Sequence, residues 1–259
     1  MKQAVIFALE ASNYEPNYEK MAILLVRSLR DTNPDIDIYC GIFTERTPCD
    51  GTLKRLELMD VKIVSDVKFN TGPNAVNYFL RNYCCHYFAS EMDLLAQYDR
   101  LIYLDIDVIV LNALDFDFPS NGLLVERVPD KIVQKEKEYI GEVDYPLYYN
   151  WVSVVTEQNK GVFNIDYAKH TYMKESDKQV SMKITASGLE LVDQQIGAYY
   201  PKHKLTSNSV LFHYDGFIDS GSFYKLEEHN PALYKKYWLY ATKAIGLELA
   251  NDQGYWNGF

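Results

Sequence analysis

Two carboxylates, Asp105 and Asp107, stand inside the stretch DRLIYLDIDVIVLNAL, between the apolar residues Leu101 to Leu104 and Val108 to Leu111. A carboxylate facing a dry core costs several kcal/mol unless something pairs with it. Either the apolar run stops there at a solvent-facing edge, or a cation sits there. The spacing alone does not discriminate, because Asp-x-Asp also occurs at Asp35/Asp37 and Asp115/Asp117. Asp35 and Asp37 follow the turn Asn33-Pro34 and enter a strand at its N-terminal end. Asp115 and Asp117 alternate with Phe116 and Phe118 before Pro119, as on a half-exposed edge. Only Asp105/Asp107 follows a fully apolar strand at its C-terminal end, where ligands bind in open α/β sheets. Once the strand bends, two carboxylates in that position can converge on one hard cation, and Mg²⁺ or Mn²⁺ can then carry a diphosphate. The plainer reading is capping and turn formation at a strand end.

Two other segments bear on that choice. FHYDG puts His213 at the end of an apolar strand, followed by Gly216. Histidine is a third ligand that Mn²⁺ accepts and Ca²⁺ rarely uses, although a lone histidine is more often structural. VDQQ (Val192 to Gln195) places an acid and two amides just inside a predicted helix, where the bland role is a cap or a polar face.

The elements that must position these residues follow from hydrophobic periodicity. QAVIFAL (Gln3 to Leu9) is continuous rather than alternating, as in a buried opening strand. NYEKMAILLVRSLRD carries apolar residues at helical spacing. IDIYCGIF and VKIVSD read as further strands, and a helical stretch from about Asn74 to Gln97 precedes the strand RLIYL. Strands alternating with helices predict an α/β fold with a mainly parallel sheet. Beyond it, GLLVERV and KGVFNID read as strands and GLELVDQQIGAYY as a helix. SVLFHYDGF reads as a strand, and PALYKKYWLYATKAIGLELA as a closing amphipathic helix. Residues 129–150, charged and tyrosine-rich, read as a surface excursion, either a lid or acceptor loop or a solvated insertion.

Composition bounds the function. At 259 residues and 47% hydrophobic, residues 1–259 are expected to form a single domain with a real core. The net charge of -10 argues against nonspecific nucleic-acid binding and an electrostatic membrane anchor. The 22 tyrosines suit stacking on sugars and bases as well as ordinary packing. Cys40, Cys49, Cys84 and Cys85 contain no CxxC pattern and are expected to be reduced packing residues. No apolar run approaches the roughly 18 residues of a membrane span, and the N-terminal run is too short for a signal peptide, so a cytoplasmic location is expected.

Taken together, these segments resemble glycosyltransferase family 8, the retaining GT-A-fold enzymes that include glycogenins and bacterial lipopolysaccharide galactosyltransferases. DRLIYLDIDVIV is similar to the family's metal motif, and the order and spacing of the other pieces agree with it. VIFALEASNY resembles the opening strand and nucleoside loop, which gives Ala8, Glu10, Asn13 and Tyr14. QNKGVFNID resembles the Asn-small-Gly-Val segment, which gives Asn159 and Gly161. VDQQIGA resembles the Asp-Gln helix, which gives Asp193 and Gln194, and FHYDG the His-x-x-Gly, which gives His213 and Gly216. Where the family continues into Lys-Pro-Trp, this chain reads FIDSGSFYKL, with Lys225 a displaced counterpart. Arg81 is the nearest basic residue in the helix before the metal strand.

The resemblance implies a GT-A fold, a Rossmann-like mainly parallel central sheet flanked by helices. It also implies transfer of a sugar from a nucleotide diphosphate, most simply a UDP-sugar, to an acceptor hydroxyl on a glycan, a lipid-linked carrier or a protein. Asp105, Asp107 and His213 would hold Mn²⁺ or Mg²⁺, with Ile106 between the two acids in the donor-binding segment. Glu10, Asn13 and Tyr14 would hold base and ribose, and Asp193 and Gln194 would face the sugar. A sugar-1-phosphate nucleotidyltransferase would carry a glycine-rich loop after the first strand, and ALEASNYEPNY has no glycine. A glycoside hydrolase would need no metal. A non-catalytic sugar-nucleotide or carbohydrate-binding protein on the same fold is the alternative outside enzymes.

Overall fold

The structure, a computed structural model, describes residues 1–9, 17–43, 48, 50–65, 78–115, 118–128, 130, 133–134, 141–142, 144–149, 151–166, 175–193, 197–199, 206–207, 209–214 and 225–239. In chain order the elements are β1 (Gln3–Ala8), α1 (Asn17–Thr32), β2 (Asp37–Ile42), α2 (Asp50–Leu58), β3 (Val61–Ser65) and α3 (Tyr78–His86). A π turn (Tyr87–Glu91) and a 3-10 turn (Leu94–Ala96) lead to β4 (Arg100–Leu104), β5 (Val108–Val110), β6 (Gly122–Arg127), β7 (Tyr148–Tyr149) and β8 (Val152–Val155). A 3-10 turn (Lys160–Phe163) precedes α4 (Glu175–Ser187), β9 (Glu190–Asp193), β10 (Gly197–Tyr199), β11 (Leu211–His213), α5 (Lys225–His229) and α6 (Pro231–Leu239). Parallel pairing joins β1 to β4, β2 to β3, β6 to β9 and β10 to β11. The expected α/β class with a mainly parallel sheet flanked by helices is therefore observed. The chain divides into two compact units, each assembled from separate segments.

The first unit comprises Met1–Phe7, Thr71–Leu104 and Asp117–Gln194. Every residue of β4 is buried. It pairs with β1 from Gln3↔Arg100 to Ile6↔Tyr103 and antiparallel with β8 from Leu101↔Val155 to Leu104↔Val152. A strand covered on both faces needs a continuous apolar run, and Leu101 to Leu104 supply one. Arg100, at its start, sends Nε to Gln3 Oε1 at 2.8 Å. Helix α4 stops at Gly188, which takes φ +67°, a conformation costly for any residue with a Cβ.

Two expectations are corrected here. GLELVDQQIGAYY is not a helix: it carries strands β9 and β10. The Glu, Leu and Gln content favours a helix, but pairing of β9 along β6, from Gly122↔Glu190 to Val125↔Asp193, overrides that local preference. KGVFNID is not a strand but begins with the 3-10 turn. The expected helix from Asn74 to Gln97 is seen as α3 and its two following turns, with residues 74–77 outside the described set.

His86 ends α3 beside Tyr83, with Glu91 at 3.5 Å. Burial chiefly pushes its pKa down; Lys183 adds to this and Glu91 opposes it. The neutral ring is thus favoured in the folded chain, and the unfolded chain binds more protons just below the ordinary value of about 6.5. Stability from this site is complete above that pH and is lost as pH falls through the folded value. In melting curves from pH 7.5 to 5.0, wild type should lose more Tm than His86→Gln. Parallel curves would contradict the assignment.

The second unit comprises Ala8–Asn70, Asp105–Phe116 and Gln195–Phe259. β2 and β3 pair from Ile38↔Val61 to Ile42↔Ser65. Arg30, near the end of α1, donates to the carbonyls of Met59 (2.8 Å), Pro34 (3.0 Å), Ile36 (2.7 Å) and Asp60 (3.0 Å), pinning the chain entering β2 and β3. Thr52 of α2 donates to the buried Glu19 of α1, and Lys236 of α6 pairs with Asp31 of α1 at 2.7 Å. Met21 and Leu24 of α1, Ile109 of β5, Phe212 of β11, Tyr214, Leu226 of α5, and Tyr234 and Tyr237 of α6 form one buried cluster. Of the expected reduced cysteines, Cys40, Cys84 and Cys85 are buried and in no disulfide, and burial pushes the Cys40 pKa far up. Cys49 lies outside the described residues.

Candidate metal centre

β4 ends at Leu104 and β5 starts at Val108, so Asp105, Ile106 and Asp107 occupy the link between them. Ile106 packs against the buried cluster of the second unit. With the middle side chain anchored in apolar contact, its two carboxylate neighbours stay partly exposed. The apolar run therefore does stop here, and the link bends in the way that convergence requires.

The partner strand brings the third group. β11 runs antiparallel to β5 with Leu211↔Val110, Phe212↔Ile109 and His213↔Val108. Tyr214 N–H donates to the Asp107 carbonyl at 3.1 Å, and Leu111 N–H to the Val210 carbonyl at 2.8 Å. Alternation along the ladder makes Val108–His213 a non-hydrogen-bonded pair, the type whose Cα atoms lie closer, at about 4.5 Å. His213 Nε2 lies 2.9 Å from Asp107 Oδ1, with side chains 7% and 17% exposed. One ligand atom each from Asp105, Asp107 and His213 falls within 4.8 Å of the others. Tyr214 is fully buried; burial, reinforced by the Asp107 charge, raises its phenol well above the ordinary value and keeps it neutral.

This donor set fits a divalent cation. Two cis ligands at about 2.1 Å from an octahedral ion lie about 3.0 Å apart, which matches the separation of His213 and Asp107. Carboxylate oxygens with one imidazole make a mixed oxygen and nitrogen donor set of a kind that transition-metal divalent ions accept, and two carboxylates offset the ion's charge.

The other expected site residues are distributed as follows. Ala8 is buried at the end of β1. Glu10, Asn13, Tyr14, Gln194 and Gly216 lie outside the described residues. Asp193 ends β9, opposite Val125 in register. Lys225 begins α5. Asp37 opens β2 and pairs with Lys62 at 2.6 Å. Asp115 is exposed, and Asp117 is outside the described set. Gly161 is exposed with nothing within 4 Å of an added Cβ, so packing does not demand glycine there. Lys160 beside it pairs with Glu157 at 2.6 Å.

Arg81 and Asn159 are held in the protein framework. The Arg81 guanidinium lies 3.1 Å from Asp177, which also accepts from Asn82 Nδ2 at 2.9 Å. Nothing in the sequence pattern pointed to Asp177 of α4 as the partner of α3. Asn159 is fully buried. Its Oδ1 accepts from Thr156 N–H at 2.9 Å, and its Nδ2 donates to the carbonyls of Gly122 and Val154, both at 2.8 Å. Asn159→Ala strands these buried groups and should cost about 2–4 kcal/mol in urea denaturation. A loss below about 1 kcal/mol would show that the bonds contribute little.

No family model matches the chain, and no curated protein sequence matches it. Solved structures do. The galactosyltransferase LgtC, in complex with donor and acceptor sugar analogues, is 17% identical and aligns over 90% of this chain and 95% of its own, with a TM-score of 0.50. An active-site mutant of LgtC is 15% identical over 91% of this chain and 95% of its own, with a TM-score of 0.52. The bifunctional glycosyltransferase WbbM in its apo form is 11% identical over 98% of this chain, with a TM-score of 0.55. The fold is a glycosyltransferase fold. This chain spans about half of WbbM, 52% of that chain, and nearly all of LgtC. Within the glycosyltransferase fold, the Asp-Asp-His cluster is the group of potential metal ligands among the described residues. No described helix is long and apolar enough to cross a membrane.

Proposed function

We propose that this chain is a metal-dependent glycosyltransferase that moves a sugar from a nucleotide diphosphate donor, in the first instance a UDP-sugar, to an acceptor hydroxyl with retention of configuration. The observation that carries this reading is the convergence of Asp105, Asp107 and His213 on a glycosyltransferase fold. In this reading the two units work as one domain over residues 1–259, which agrees with each unit being built from interleaved segments.

Asp105, Asp107 and His213 would hold Mn²⁺ or Mg²⁺. When bound, the ion supplies Lewis acidity that offsets negative charge on a departing diphosphate. The bond between the anomeric carbon and the diphosphate oxygen breaks with its electron pair leaving on the nucleoside diphosphate, a bond to the acceptor oxygen forms, and the acceptor hydroxyl's proton passes to the released diphosphate or to water. Glu10, Asn13 and Tyr14 are assigned to base and ribose. Asp193 and Gln194 are assigned to the sugar, where they orient hydroxyls and stabilise positive charge at the anomeric carbon. One LgtC neighbour is a mutant of an active-site residue, so the fold has a defined active site to compare with these positions. Ala8, Asn159, Gly161 and Gly216 are assigned to donor binding on the family resemblance alone.

The test is donor turnover. The full chain is incubated with Mn²⁺ and a panel of UDP-, GDP-, ADP-, CDP- and dTDP-sugars, and nucleoside diphosphate release is followed. Release from one nucleotide class, abolished by EDTA, is expected. Turnover that ignores EDTA would overturn the metal assignment, and no turnover of any donor would favour a non-catalytic binding protein.

A further inference from the structure

β5 has only three residues, Val108–Val110, and sits at the edge of the sheet β10-β11-β5. A strand this short makes few ladder bonds, so its register depends on what holds its other edge. On that edge stands Ser28, fully buried in α1. Its hydroxyl donates to the Leu25 carbonyl at 2.7 Å and accepts the Val110 N–H at 2.9 Å. The ladder alternation that pairs Asp107 with Tyr214 turns the Val110 N–H away from β11. Among the described strands none pairs with that edge of β5, and Ser28 supplies the acceptor. A second tie follows, from Leu114 N–H to Asn33 Oδ1 at 2.8 Å just beyond α1. Met21 and Leu24 of the same helix pack with Ile109 and Phe212.

We propose that Ser28 is a positioning residue of the metal centre: by bonding Val110 it fixes the register of β5, and so the placement of Asp107 against His213. The inference rests on the metal reading above. Ser28 touches neither ligand. Its effect is transmitted through the backbone from Val110 to Asp107, as supporting groups behind ligands commonly act.

The experiment is calorimetric titration of MnCl₂ into the 259-residue chain for wild type, Ser28→Ala, Ser28→Cys, Arg30→Ala and Asp107→Ala. Ser28→Ala should weaken Mn²⁺ binding about tenfold and speed hydrogen exchange at the Val110 amide. Ser28→Cys, similar in size with a poorer acceptor, should fall between it and wild type, and it carries the test if the alanine variant does not fold. Arg30→Ala removes bonds from the same helix away from β5. It should lower Tm while leaving Mn²⁺ affinity within about twofold, which a merely structural role for Ser28 would also give. Wild-type affinity in both Ser28 variants, with Asp107→Ala still losing the ion, would overturn the positioning role and leave the metal reading standing. Equal binding by wild type and Asp107→Ala would overturn the metal reading and this inference with it.

Discussion

Asp107→Ala is expected to lower sugar transfer by about a hundredfold to a thousandfold or more and to abolish Mn²⁺ binding, while the chain stays folded. The size follows from the geometry. Asp107 sits closest to the histidine ligand, with His213 Nε2 2.9 Å from its Oδ1, and the Asp105 carboxylate lies within 4.8 Å of both. Removing it leaves Asp105 and His213, too few donors for a divalent ion that keeps several waters of its own. The fold should survive because Asp107 contributes its carbonyl, not its carboxylate, to the ladder with Tyr214, and alanine keeps that carbonyl. Asp107→Asn keeps the shape and one weak ligand oxygen and should fall less far. Near-normal turnover in Asp107→Ala, or a collapsed melting transition, would contradict the account.

Arg81→Ala or Asp177→Ala should each destabilise the chain by about 3–5 kcal/mol. The pair is almost buried, with side chains 8% and 12% exposed. Truncating one partner takes the opposite charge away from the other in a poorly solvated site, and changing Asp177 also removes an acceptor from Asn82. Arg81→Met with Asp177→Leu, which removes both charges and restores apolar volume, should be more stable than either single alanine variant. Urea denaturation measures all three. Single losses under about 1 kcal/mol would mean that the pair is solvated in practice. Nucleotide affinity of the folded Arg81→Lys variant separates this framework role from a direct role in donor binding.

The site was legible in the sequence where chemistry and context coincide. Asp105/Asp107 differs from the other two acidic pairs by following an apolar strand at its carboxyl end, and the structure brings that pair to His213, 106 residues away. The sequence shows isoleucine between the acids, but not that Ile106 would anchor in the core and leave both carboxylates partly exposed. β4, with every residue buried, was readable from the apolar run Leu101 to Leu104. β9 was not, because the helical preference of its residues is outweighed by pairing with β6, a contact between segments far apart in the chain. Asp177 and Ser28 were illegible for the same reason. Each is an ordinary polar residue on a helix until the fold sets it beside Arg81 or the Val110 amide.

The most direct measurement is calorimetric binding of UDP, GDP, ADP, CDP and dTDP to the wild-type chain, each with Mn²⁺ and again with EDTA. The account predicts that one diphosphate binds, with UDP the first expectation, and that binding disappears with EDTA and in Asp107→Ala. Binding of no nucleotide under either condition would contradict it and remove the donor site from Asp105, Asp107 and His213.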